Sequence, residues 1–175
     1  MKLEAKEMES ARDSSLLLRE KLSALAASNK GRPQAFRMRT PLLAQGRANI
    51  PVAATEDLTV MVKVYASGGE NGLHAHPTED HSFVILQGAA TFYDQDGEMA
   101  TLHAHEGILI PKGSLYRFHS VESAGPLVML RVGTPNYALQ GKASTRVNPS
   151  GEYMQGDSKE NRTVEMKVLE DAYFG

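Results

Sequence analysis

The sequence contains no cysteine and no tryptophan, and its net charge is close to zero. The absence of cysteine excludes disulfides and thiolate metal sites, but it leaves the redox compartment undecided, since a chain without thiols is stable in either. No apolar stretch is long enough to span a membrane, and the N-terminal residues lack the apolar core of a signal peptide. A formal net charge of −2 gives no reason to expect nucleic acid or an anionic membrane as a partner. We therefore expect a cytoplasmic protein that binds neither.

The chain has enough apolar residues for one buried core. Its 175 residues are 41% hydrophobic and 23% charged, which is ordinary for a globular domain. We divide it into an N-terminal helix or arm (1–32), a β-barrel (33–133, with its core at 58–133) and a C-terminal part (134–175). The C-terminal part is expected to be a surface excursion or lid that ends in a closing strand.

One amphipathic helix is predicted over residues 1–28. Intervals of three and four residues separate Met8, Ala11, Ser15, Leu18, Leu22 and Leu25. The glycine and proline of Asn29-Lys-Gly-Arg-Pro33 are typical of the end of a helix. The helix is expected to pack on the outer face of the domain or on a second subunit.

From about residue 36 the chain is predicted to form strands. Runs rich in β-branched and aromatic residues occur at 58–66, 82–86, 89–93, 108–110, 115–120 and 127–132. Glycine and proline separate them at even intervals, which predicts an antiparallel sandwich or a small barrel. After Gly133 the sequence is polar until a last predicted strand at 163–169.

Three of the six histidines, His74, His76 and His81, fall within eight residues. Histidine is the commonest metal ligand among side chains, and residues i and i+2 of a strand face the same side. Residues 77–80 are predicted to turn the chain, so that His81 begins a return strand paired with His74 and His76. Three imidazoles on one face of two paired strands leave one side of a metal open, as in catalytic sites.

The same segment resembles the first signature of the cupin superfamily. That signature runs glycine, five residues, His-x-His, three or four residues, an acidic ligand, six residues, glycine. Its positions are occupied here by Gly68, His74, His76 and Gly88. His81 stands where the family usually has glutamate, and a one-residue bulge would present Asp80 instead.

The second cupin signature is matched in part. Pro111-Lys-Gly113 corresponds to its Pro-x-Gly, but Tyr116 replaces the metal-binding histidine, Ser120 the asparagine and His105 the first glycine. The resemblance covers roughly residues 58–133. It implies an all-β, cupin-type double-stranded β-helix (jelly-roll) barrel, preceded by the N-terminal α-helix.

Several other side chains are candidates for catalysis or substrate binding. Tyr116 is interpreted as a hydrogen-bond donor or general acid, as a phenolate ligand, or as a packed aromatic, and Glu79 as a group that moves a proton. Arg131 interrupts an apolar run, so it meets a substrate carboxylate or an internal glutamate, or it faces outward. Phe83 and Phe118 share the inward phase of their strands and are expected to contact substrate.

Neutral imidazoles without a thiolate suit one divalent transition metal, with Fe(II) expected for function and zinc, nickel or copper as alternatives. Cupins that resemble this site in using three histidines include non-haem iron dioxygenases. The resemblance therefore implies a mononuclear dioxygenase for a small oxygenated organic substrate. The alternatives are a redox-neutral isomerase, lyase or cyclase, and a non-catalytic cupin that binds a small ligand. A homodimer is expected, because cupin barrels commonly share edge strands.

Overall fold

The computed structural model describes residues 17–67, 71–135, 145–153 and 164–175. Its strands are β1 (Thr40–Gln45), β2 (Arg47–Ala54), β3 (Thr59–Tyr65), β4 (His81–Gln87), β5 (Ala89–Tyr93), β6 (Glu98–His103), β7 (Gly107–Ile110), β8 (Arg117–Ser120), β9 (Leu127–Gly133) and β10 (Lys167–Phe174). A helix, α1, covers residues 17–29, so the predicted helix is confirmed over that part; residues 1–16 lie outside the described ranges. None of the helical structure described is long and apolar enough to cross a bilayer.

The described strands form three antiparallel sheets. Their orders are β2-β3-β9-β4-β7, β6-β5-β8 and β1-β10. This confirms the predicted all-β architecture with an N-terminal helix, and the arrangement is consistent with a jelly roll. Strand β6 was not predicted, because its sequence Glu-Met-Ala-Thr-Leu-His lacks a β-branched run and four of its six residues are exposed or charged at the surface.

The five-stranded and three-stranded sheets enclose the main apolar core. Its aromatic members are Tyr65, Phe83, Phe92, Tyr116 and Phe118. Alternate residues of β4 are buried, beginning with its first residue, His81, and continuing with Phe83. The pleat of β4 therefore turns the His81 imidazole into the barrel interior.

Strand β3 is buried on both faces. Val62 and Val64 point outward and pack against Leu43 of β1, in a second apolar cluster under the β1-β10 sheet. The alternate residues, Lys63 and Tyr65, therefore face the interior, where Tyr65 packs edge-on against a core phenylalanine. A lysine thus lies inside the barrel, which the sequence did not predict.

Helix α1 packs against the edge of the five-stranded sheet. Leu22 is buried with Ala54 and Met61, and the side-chain amide of Asn29 donates a hydrogen bond to the carbonyl of Ala54 at 2.8 Å. Met61 pairs with Arg131 in the β3-β9 ladder. The helix therefore lies at the level of the barrel that holds Arg131.

The predicted hairpin between residues 74–76 and β4 is wrong. His74 instead pairs with Tyr116 through backbone hydrogen bonds of 3.1 and 2.9 Å, and Ala75 pairs with Val147 at 3.0 and 2.9 Å. Strand β4 is paired with β7 on one edge and β9 on the other. Because both of its edges are occupied, the segment containing His74 has to find its partners elsewhere.

Candidate metal centre

Three buried side chains converge at the start of β4. His76, Glu79 and His81 each place a potential ligand atom within 4.8 Å of the others. Among the described residues, this is the one group of three or more such side chains close enough to hold a metal ion. His81 is fixed by the pleat of β4, and Glu79 precedes it by two residues. Extended backbone between them puts the carboxylate and the imidazole on the same side.

The contacts of His81 determine which of its nitrogens is free to bind a cation. Its Nε2 contacts the Arg131 guanidinium, and arginine has only donors, so this is a hydrogen bond if Nε2 is unprotonated. The proton then lies on Nδ1, which is 3.2 Å from the Tyr116 hydroxyl and donates to it. The lone pair of Nε2 and a carboxylate oxygen of Glu79 are 3.0 Å apart. Two acceptors this close require a positive charge beside them.

Arg131 provides that positive charge in this structure. Its Nη2 is 3.3 Å from Glu79 Oε2 and also contacts His81 Nε2, while Nη1 is 3.4 Å from the hydroxyl of Thr59. The guanidinium thus contacts two of the three side chains that would hold a divalent ion. A metal held by Glu79 and His81 would compete with Arg131 for them.

His76 connects the cluster to a distant part of the chain. Its Nδ1 is 2.7 Å from the hydroxyl of Thr145 and 3.4 Å from Glu79 Oε2. Burial lowers the pKa of His76 to about 4, although the neighbouring Glu79 carboxylate opposes the shift. The imidazole is therefore neutral near pH 7, which is the form that binds metals.

His74 lies beside this cluster and has an unused nitrogen. Its Nδ1 donates to the carbonyl of Gly72 at 2.8 Å, so Nε2 carries a lone pair. Nε2 is buried and has no hydrogen-bond partner among the described residues. Its ring centroid is 5.2 Å from that of His76. A buried acceptor without a donor is unfavourable, so this atom fits a site that receives a cation.

The pKa shifts of Glu79 and His81 also favour the protonation states that bind metals. Burial raises the pKa of Glu79, but its contacts with His76 and His81 and the charge of Arg131 outweigh burial, and the pKa lies well below its usual value. Burial, followed by the charge of Arg131, lowers the pKa of His81 to about 2. The cluster therefore presents a carboxylate and neutral imidazoles, a donor set that fits a divalent transition metal.

Tyr116 holds its proton firmly. The side chain is 3% exposed, and burial is the main reason why the pKa of its hydroxyl is raised above the usual value. Because the oxygen accepts from His81 Nδ1, the hydroxyl hydrogen remains available to a further acceptor. This geometry fits the hydrogen-bond role among the three interpretations of Tyr116.

The remaining predicted residues are placed as follows. Asp80 is not in the cluster, since its carboxylate accepts from the backbone N–H of Lys112 at 2.8 Å. Phe83 and Phe118 are each 1% exposed, and their ring centroids are 5.8 Å apart in the aromatic core. Arg131 forms the internal ion pair that was one interpretation of its position. The roles of these residues toward substrate stay predictions.

Sequence reasoning missed two features of the centre. Glu79 was assigned a proton-transfer role but not a ligand position, although its spacing of two from His81 was a local signal for a shared face. Thr145 had no such signal, because it contacts His76 across 69 residues of sequence. Residues 136–144 and 154–163 of the predicted lid lie outside the described ranges, and the lid stays a prediction.

Comparison with known proteins agrees with the resemblance to the cupin superfamily. Residues 61–133 match the family model described as a cupin domain. The chain is also similar to the uncharacterized protein YdbB of Bacillus subtilis (strain 168), with 36% identity over 73 residues. That match covers 42% of this chain and spans 63% of the length of the relative. Residues 61–133 are therefore a cupin domain, as the resemblance implied.

The chain is also similar to solved structures at low sequence identity. KdgF from Halomonas sp. is 19% identical with a TM-score of 0.48, and the match covers 52% of this chain and 80% of that one. A cupin superfamily protein from Desulfitobacterium hafniense DCB-2 is 17% identical with a TM-score of 0.44, covering 51% and 78%. A sugar phosphate isomerase of the cupin superfamily from Silicibacter pomeroyi DSS-3 is 21% identical with a TM-score of 0.42, covering 47% and 53%.

Proposed function

We propose that this chain is a metal-dependent cupin enzyme that acts on a small oxygenated organic substrate as a mononuclear non-haem dioxygenase. The proposal is carried by the convergence of His76, Glu79 and His81 within 4.8 Å. Two histidines and one carboxylate with open positions are the donor set typical of non-haem Fe(II) oxygenases. The Nε2 of His74, which has no hydrogen-bond partner among the described residues, is a further buried potential ligand, on a ring whose centroid is 5.2 Å from that of His76.

Fe(II) held by these residues would supply the electrons for dioxygen chemistry and a Lewis acid for the substrate oxygen. The protein's own part is to orient the substrate and control its protons. The Tyr116 hydroxyl accepts from His81 and donates its hydrogen to a substrate oxygen, and its raised pKa keeps it protonated while it does so. Phe83 and Phe118 form an apolar wall beside it that excludes water.

The first test is the metal content of the full chain, purified without added metal and then loaded anaerobically with Fe(II) or Zn(II). We expect about one equivalent per chain, the number that one mononuclear site binds. His76→Ala and His81→Ala should lose the metal. His103→Ala, which alters an exposed histidine of β6, should keep it. A wild type that binds no metal after loading would refute the proposal and leave a metal-free binding barrel.

Arg131 gives a second test that does not depend on activity. Replacing it with methionine removes the cation that competes for Glu79 and His81, so Arg131→Met should bind Zn(II) more tightly than the wild type. Arg131→Lys keeps the charge and is the matched control. Competition with a chromophoric chelator measures both affinities. Weaker binding by Arg131→Met would show that the guanidinium supports the ligands and does not compete with the metal.

Oxygen uptake by the iron-loaded chain, with diketones and catechols as substrates, tests the reaction type. Uptake that is lost in His81→Ala supports the dioxygenase. Conversion of substrate without uptake, by the zinc form as well as the iron form, would favour the redox-neutral alternative. Tyr116 supports the redox-neutral alternative. Its buried, protonated hydroxyl beside His81 suits proton transfer to a substrate as well as it suits dioxygen chemistry.

A further inference from the structure

Lys63 is a buried basic residue inside the barrel. The residue is 6% exposed and lies on the inward face of β3, between outward-facing Val62 and Val64. Its Nζ lies 5.6 Å from the centroid of the Tyr65 ring. Among the described residues it has no hydrogen bond and no ion pair. A buried ammonium without an anion is unfavourable, so the position needs a physical explanation.

The charges around Lys63 make a buried ammonium there still less favourable. In the β3-β9 ladder Lys63 pairs with Met129, and Arg131 pairs with the residue two positions before Lys63, so the two cations are diagonal neighbours on one face. Burial is the main cause of a pKa of Lys63 well below the usual value, and Arg131, Arg146 and Arg47 lower it further. Each of these three contributors is a cation.

No buried carboxylate in the described ranges is left to balance Lys63. Glu79 is the buried acidic residue there, and its Oε2 is already in contact with Arg131 at 3.3 Å and with His81 at 3.0 Å. Lys63 therefore has no buried counter-anion among the described residues. An anion from outside the protein would stabilise its amine in the charged form.

The wall next to Lys63 is polar. Asn49 is the cross-strand partner of Lys63, and its buried Oδ1 has no hydrogen-bond partner in the described parts of the chain. On the inward face of the sheet, Lys63 is the diagonal neighbour of Arg131, and the Arg131 guanidinium contacts Glu79 and His81. Lys63 therefore borders the same interior space as the cluster.

We propose that Lys63 binds the anionic group, a carboxylate or a phosphate, of the small-molecule substrate of this site. This proposal rests on the proposed function, which places the reaction at the cluster of His76, Glu79 and His81. It narrows the substrates of that reaction to anions. The anionic group lies on the β2-β3 wall, and the reacting part of the molecule reaches the cluster of His76, Glu79 and His81. In this structure Arg131 has Glu79 as its partner at 3.3 Å, whereas Lys63 has no anionic partner among the described residues.

The test is isothermal titration of the full chain with inorganic phosphate, with acetate, and with acetamide as the uncharged counterpart of acetate. It is performed on the protein as purified and after metal removal, so that binding to a metal is separated from binding to Lys63. We expect at least one anion to bind the metal-free protein and acetamide not to bind. The tighter of the two anions identifies the group as phosphate or carboxylate.

Lys63→Met should weaken anion binding roughly tenfold or more, the effect of losing a hydrogen bond from a charged donor. Lys63→Arg keeps the charge and should keep binding, and Lys167→Met, at an exposed position of β10, should not change it. Methionine matches the length of lysine and removes a buried charge, so we expect the variant to fold, which circular dichroism verifies.

The proposal is overturned if neither anion binds the wild type, if acetamide binds as tightly as acetate, or if Lys63→Met binds as tightly as the wild type. The first two outcomes do not depend on any variant. Metal content is measured on the same samples. Anion binding without metal binding would refute the dioxygenase and support the Lys63 site. Metal binding without anion binding would refute the Lys63 site and leave the metal-dependent function standing.

Discussion

At the scale of single residues, the centre is a set of buried charges that compensate one another. Glu79 is 6% exposed and Arg131 is 8% exposed, and the two form an ion pair in which Arg131 Nη2 is 3.3 Å from Glu79 Oε2. A buried ion pair costs several kcal/mol to desolvate, so it is poor evidence for a purely stabilising role. The lone pair of His74 Nε2, which has no partner among the described residues, points to a cation site.

The buried histidines predict how stability depends on pH. The usual pKa of 6.5 falls to about 4 for His76 and to about 2 for His81 in the folded state. Between these values the unfolded chain binds more protons, so the stability of the metal-free protein should fall as pH decreases from 6.5 toward 4. Each such histidine adds a slope of up to ~1.4 kcal/mol per pH unit. The lowered pKa of Glu79 has the same sign at lower pH, where its contribution is lost as the carboxylate is protonated.

Urea unfolding of the metal-free chain at several pH values measures this slope. His76→Gln should reduce the slope below pH 6.5, the usual pKa of the replaced imidazole. His103→Gln changes an exposed histidine and serves as the control. A slope that is unchanged in His76→Gln would contradict the lowered pKa of His76.

At the scale of elements, α1 depends on its contacts with the sheet. Helices of this length, residues 17–29, are marginal in isolation, and most of their stability comes from packing an apolar face. Leu22 provides that face by contacting Ala54 and Met61. The spacing of leucines in the sequence was sufficient to predict the helix, but the surface that it covers was decided by the strands.

Leu22→Ala should lower the free energy of unfolding by about 2–3 kcal/mol, because it leaves a cavity at a residue that is 8% exposed. Leu17→Ala is the matched control, since Leu17 is 54% exposed and its truncation should change stability by no more than about 0.5 kcal/mol. Equilibrium denaturation of both variants measures the difference. Equal effects would mean that α1 does not pack through Leu22.

At the scale of the whole molecule, the β1-β10 sheet joins the first described strand to the last. Thr40 pairs with Phe174, and Leu43 of β1 covers Val62 and Val64 of the barrel. The outer side of β10 exposes Val168 at 50% and Tyr173 at 49%. We propose that this sheet forms the interface of the expected homodimer.

Sedimentation velocity should show a dimer whose dissociation depends on concentration. Val168→Glu places a charge at the proposed interface and should favour the monomer. Met99→Glu, at a position of β6 that is 39% exposed, should leave the dimer intact. A wild type that stays monomeric over the whole concentration range would refute the interface.

The sequence by itself determined the family and the local geometry. The spacing of the histidines and glycines identified the cupin signature, and strand alternation was enough to place His81, Phe83 and Tyr116 inside the barrel. These properties depend on residues close together in the chain, so they can be predicted from the local spacing of apolar and polar residues.

Only the tertiary structure decided which groups meet. Glu79 contacts Arg131 across 52 residues of sequence, and His74 pairs with Tyr116 because both edges of β4 were already taken. Strand alternation does not say which face of a doubly buried strand is inward, so Lys63 could not be placed from its own segment. The outer β1-β10 sheet covers one face of β3, and that long-range packing turns Lys63 into the barrel.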